Sequence, residues 1–125
     1  MSKHAYLIMA HNQFDFLEML INDLDFSMND IFLHVDKKAK DFDEQYFKSI
    51  PQKSELYIIP RRNIHWAGYS IVNCILTLLE HATAHGGYSY YHLLTGSEFP
   101  IQSQKKIHDF FDNHYGTEFI GFDNK

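Results

Sequence analysis

Short, continuously apolar runs alternate along this chain with longer stretches whose apolar residues recur every three or four positions. That alternation restricts the fold more than any other feature. Residues 5–10 (AYLIMA), 31–35 (IFLHV), 56–59 (LYII), 90–94 (YYHLL) and 118–122 (EFIGF) are bounded, too short for helices and rich in strand formers. Between them, Leu17, Leu20, Ile21 and Leu24 fall on one helical face behind Asn12, which is placed to cap. Asp41 and Glu44 have capping-box spacing before the Phe42, Tyr46, Phe47, Ile50 stripe that Pro51 closes. Ser70 opens a helix apolar around most of its circumference, which predicts a central helix buried on more than one side and stopped by Gly86 and Gly87. Ser103 opens a fourth, carrying Ile107, Phe110 and Phe111. Strand and helix in strict alternation predict an α/β fold, a parallel-dominated sheet with helices on both faces and with Ile8, Leu33, Ile58, Ile75 and Leu93 buried.

In a parallel sheet every carboxyl end points the same way, so His11, Asp36, residues 61–66 and residues 95–98 are expected along one edge although far apart in sequence. The sharpest of these strand ends is YYHLLTGSEFP, residues 90–100, where Thr95, Gly96 and Ser97 stop an apolar run and Pro100 stiffens a loop that carries Glu98. A nucleotide fits this edge with Asp36 accepting from ribose or base and Arg61, Arg62, Lys37 or Lys38 near phosphate. Asp36 as a plain strand-end carboxylate is the competing reading. Trp66, the single tryptophan, either offers an aromatic face to a sugar or base or packs onto the edge of the core.

Several function classes are excluded or disfavoured. At 125 residues the chain is read as one domain spanning 1–125. A net charge of −5 with scattered basic residues argues against nucleic acid as a partner. Glycine-rich phosphate loops are absent, which removes the dinucleotide and P-loop readings. His81 and His85 lack the glutamate of a metalloprotease helix and are read as charges at a helix C-terminus. The D-x-D pairs Asp23/Asp25 and Asp41/Asp43 fall at helix ends, away from the strand-end loops where a metal for sugar transfer would sit, so no metal site is expected. The lone Cys74 sits in an apolar helix and points to a reducing compartment. Its neighbours give it no nucleophilic role. The apolar start is too short for a signal or a span, and a cytoplasmic protein, open to peripheral membrane association, is expected.

Four stretches taken together, HAYLIMAHN, IFLHVDKKA, IHWAGYSIVNCILTLLEHA and YSYYHLLTGSEFPIQS, resemble in order and spacing the Core-2/I-branching enzyme family, glycosyltransferase family 14. The last two are similar to that family's W-G-G-x-S before a helix and S-G-x-D-x-P-I after a strand. The resemblance covers nearly the whole chain and implies the N-terminal, nucleotide-sugar-binding half of a GT-A-type, Rossmann-like fold. It further implies an inverting, metal-independent transferase using a UDP-sugar donor and no cofactor, with a GlcNAc-like or xylose-like sugar passed to a glycan acceptor in polysaccharide biosynthesis.

Carried over by position, the resemblance implies that His11 and Asp36 lie by uracil and ribose, His65 and Trp66 beside the nucleotide-sugar, and Thr95, Gly96, Ser97 and Glu98 near the donor sugar, while Lys38 and Arg61 join them from the strand-end reading above. Ala67, Thr95 and Glu98 depart from the usual Gly, Ser and Asp. The family's catalytic carboxylate and diphosphate-binding residues belong to a C-terminal half that nothing here matches. The base is therefore expected beyond Lys125, with Glu98 the fallback, and the isolated chain is expected to be inactive and either to self-associate through its last strand or to hold that strand poorly ordered. A non-catalytic binding module that keeps the fold is the alternative, and an unrelated receiver or flavodoxin-like domain ranks behind both.

Overall fold

The computed structural model describes residues 3–64, 69–95 and 121–122. Among these the elements run β1 (His4–Ala10), α1 (Phe14–Leu24), β2 (Asn29–Val35), α2 (Glu44–Ser49), β3 (Glu55–Ile58), α3 (Tyr69–His85), β4 (Tyr90–Thr95) and β5 (Gly121–Phe122). The expected helix from Ser103 lies outside the described residues. All strand pairs are parallel, in the order β3-β2-β1-β4-β5. The expected α/β class, a parallel sheet with helices on both faces, is what the chain adopts.

β1 is central, and its alternation explains why all of it is apolar or buried. Tyr6, Ile8 and Ala10 face one side, where Leu17, Leu20, Ile21 and Leu24 of α1 and Phe47 of α2 pack. Ala5, Leu7 and Met9 face the other, against Cys74, Leu78 and Ala82 of α3. A right-handed crossover dictates this division. The chain steps outward from β1 to β2 to β3 over one face, then reverses from β3 to β4, so α3 must cross the opposite face and touches both β1 and β2. The reversal leaves β1 and β4 adjacent, with Met9 opposite Thr95. Their diverging connections make a topological switch point.

Some local expectations are corrected. Asn12 does not cap α1; Gln13 occupies that position in the left-handed region (φ 53°) with no side-chain cap, because the chain must turn sharply out of β1. Asp15 in the first turn complements the helix dipole instead. In α2 the cap is Asp43, whose Oδ1 accepts the Tyr46 N–H at 3.1 Å, while Phe42 joins a ring cluster with Phe14 and Phe47. α3 already includes Tyr69, so Ser70 is its second residue. That helix buries a single stripe: Cys74, Leu78 and Ala82 are enclosed, whereas Val72 and Leu76 are 51% and 57% exposed. Ile8 and Leu33 are fully buried, but Ile58, Ile75 and Leu93 only partly. Ile58 lies on an edge strand with one neighbour, and Ile75 flanks the buried stripe of α3. Gly86 and Gly87 do end α3, with φ 71° and 80°.

Candidate functional site

The carboxyl ends of β1, β2 and β4 meet at the switch point, the place where open parallel sheets bind ligands. His11 follows β1 and is exposed. Thr95, half-buried, is the last residue of β4. Asp36 extends β2 by one rung, its N–H donating to the Ala10 carbonyl at 2.8 Å, which sets it level with the end of β1.

The residues after β2 and those after β3 are laced together around Asp36. The residue is 2% exposed; its Oδ1 accepts the Lys38 N–H at 3.0 Å and the Ile64 N–H at 3.3 Å. Oδ2 lies 3.6 Å from Lys38 Nζ, and that ammonium also donates to the Ile64 carbonyl at 2.5 Å. Lys37 N–H donates in the other direction, to the Arg62 carbonyl, and Ile59 N–H donates to the Leu33 carbonyl. A buried carboxylate at a strand end is sustained only by such donors. The Lys38 side chain remains half in solvent, so the anion has a movable partner as well as fixed ones.

Arg61 points back along β2. Its Nε donates to the Val35 carbonyl at 3.2 Å, and one terminal nitrogen donates to the carbonyls of Asp36 at 2.8 Å and Ala39 at 2.5 Å. Sequence reasoning missed His34. This ring is buried at the end of β2, and its Nε2 accepts the Arg62 N–H at 3.0 Å. Burial pulls its pKa below the usual imidazole value; the charge of Asp36 opposes that, and Arg62 and Arg61 reinforce it. The signal was present in IFLHVD as a polar ring in an otherwise apolar strand, but its partner is a backbone group that no sequence pattern identifies.

Of the anticipated site residues, His11, Asp36, Lys38, Arg61 and Thr95 are therefore at one sheet edge. His65, Trp66, Gly96, Ser97 and Glu98 lie outside the described residues. Among the described residues no group of three or more His, Cys, Asp or Glu is arranged to hold a metal ion. One aspartate of each acidic pair has other work. Both Asp25 oxygens accept backbone N–H groups, from Gln52, Lys53 and Ser54, and Asp43 caps α2. Cys74 is enclosed, and burial lifts its thiol to a pKa of about 11, far from a nucleophile's range. An open cleft of about 260 Å³ runs along β3 and the last turns of α3, lined by Tyr57, Pro60, His81 and His85 among others. It follows an edge strand, away from the switch point.

The model of the Core-2/I-Branching enzyme family matches residues 4–124. No curated protein matches the chain. The matched span runs through every described strand and helix, including the switch point and the laced loops around Asp36, and the chain belongs to the Core-2/I-branching enzyme family, a family of glycosyltransferases.

Proposed function

We propose that this chain is the donor-binding part of an inverting, metal-independent glycosyltransferase that uses a UDP-sugar. The observation that carries the reading is the buried Asp36, held at the switch-point edge by fixed N–H donors on one oxygen and by a half-exposed lysine on the other. Such a group is pre-organised to accept from a ribose hydroxyl or the uracil N–H without the cost of ordering it on binding. His11 after β1 and Thr95 at the end of β4 lie on the same sheet edge. The sequence adds His65, Trp66, Gly96, Ser97 and Glu98 to the donor side by family position.

In an inverting transfer, the acceptor hydroxyl attacks the anomeric carbon from the face opposite the diphosphate while a carboxylate takes its proton. No residue is assigned as that base. Metal independence is favoured by the structural employment of Asp25 and Asp43, which leaves neither D-x-D pair available to clamp a diphosphate through a cation. The acceptor is proposed to be a glycan. A non-catalytic module of the same fold is the competing reading. Calorimetric titration of the chain with UDP, UDP-GlcNAc and UDP-xylose tests the donor site, and a UDP-release assay with a glycan acceptor separates enzyme from binder. Absence of binding to all three nucleotides would overturn the donor reading.

A further inference from the structure

An arginine on an edge proposed to hold a diphosphate is the obvious phosphate ligand, and the geometry points elsewhere for Arg61. Three of its N–H groups are spent on the carbonyls of Val35, Asp36 and Ala39, at 3.2, 2.8 and 2.5 Å. Its guanidinium carbon lies 5.4 Å from the centroid of the Phe42 ring. The carbonyls converge because residues 36–39 form a turn, closed by the Ala39 N–H donating to the Asp36 carbonyl at 3.0 Å. That oxygen thus accepts twice, once from the turn and once from Arg61. Carbonyls aimed at one point repel each other unless a cation with several fixed donors lies among them, and a planar guanidinium meets that need where an ammonium supplies only a compact point charge.

We propose that Arg61 is a positioning residue: it locks the turn from Asp36 to Ala39 and thereby aims the Asp36 carboxylate and the Lys38 ammonium at the nucleoside of the donor, leaving the phosphates to other groups. The turn carries both members of the Asp36–Lys38 pair, and its only other described ties to the segment after β3 are the Lys37, Lys38 and Asp36 bonds to residues 62 and 64. Loosening Arg61 therefore moves the nucleoside contacts without removing any of them.

This inference rests on the donor reading for its ligand but not for its turn, and the test separates the two. The full chain and its Arg61→Lys variant are titrated with uridine and with UDP, and amide hydrogen exchange is followed in both without ligand. Arg61→Lys keeps the charge, and circular dichroism checks that it folds. A positioning role predicts that affinity for uridine and for UDP falls by the same factor, about tenfold, and that the Lys38 and Ala39 amides exchange faster while those of Leu7 and Ile31 are unchanged. UDP weakened with uridine unaffected, or full affinity retained by the lysine variant, would mark Arg61 as a phosphate ligand and overturn the proposal. Should the wild-type chain bind neither ligand, the donor reading fails and exchange alone decides: unchanged protection at Lys38 and Ala39 overturns the turn-locking role, and faster exchange there upholds it.

Discussion

The Nε2 of His34 accepts the backbone N–H of Arg62 at 3.0 Å, so the buried imidazole is neutral and carries its proton on Nδ1. A second proton would set two N–H groups against each other. Burial, helped by Arg61 and Arg62 and opposed by Asp36, holds the folded pKa below the unfolded value of 6.5. As pH falls, the unfolded chain therefore takes up this proton before the folded one. The contribution is complete above the unfolded pKa and declines as pH drops below it, until the folded pKa is passed. Denaturant unfolding between about pH 7 and about pH 5 should show this slope, and His34→Gln, which keeps an acceptor but does not titrate, should flatten it.

Asp25 ties the end of α1 to the start of β3. Desolvation, the largest single influence on its carboxyl, raises its pKa, but hydrogen bonds from Gln52, Lys53 and Ser54 together outweigh it and the net shift is downward. Its stabilisation is thus present above 3.8 and lost as pH falls through the lower folded value. Asp25→Ala should cost about 2 kcal/mol at neutral pH, read from urea unfolding, because three backbone donors lose a charged acceptor. A loss confined to a few tenths would mean that water replaces the carboxylate at all three amides.

Asp36→Asn keeps an oxygen for the Lys38 and Ile64 N–H groups but removes the charge facing Lys38. UDP affinity should fall by on the order of 1.5–3 kcal/mol. His81→Ala, on α3 and beside the cleft along β3, should leave it unchanged. Equal affinities in calorimetry would remove Asp36 from the site.

Binding of UDP should survive excess EDTA. One aspartate of each acidic pair is occupied, Asp25 as a clamp and Asp43 as a cap, and a diphosphate held through a cation would be released by the chelator. Loss of binding with EDTA, restored by Mn²⁺, would refute the metal-independent reading.

Two leucines two residues apart on α3 should behave oppositely. Leu78 is fully buried against the sheet and Leu76 is 57% exposed. Leu78→Ala should destabilise by about 2–5 kcal/mol, and Leu76→Ala by no more than about 0.5 kcal/mol. Thermal and urea unfolding of the pair measures which face of α3 meets the core.

The sequence alone determined the sheet's character: runs such as AYLIMA, apolar at every position, suit only a strand covered on both faces, and the stripe Leu17, Leu20, Ile21, Leu24 has the period of a helix with one buried side. These signals are local, because burial repeats with the period of the element. It also placed His11, Asp36, Lys38, Arg61 and Thr95 at one edge, since parallel strands share a direction. Tertiary structure decided the rest. That β4 lies beside β1 rather than β3 depends on which face α3 crosses, and the apolar circumference of α3 suggested two buried sides where the structure has one, because hydrophobicity alone does not say which face another element covers. Asp43 and not Asp41 caps α2 because Phe42 is drawn into the rings of Phe14 and Phe47. The roles of His34 and Arg61 arise from backbone N–H and carbonyl groups, which every residue carries alike; only the path of the folded chain brings those groups to face a particular side chain.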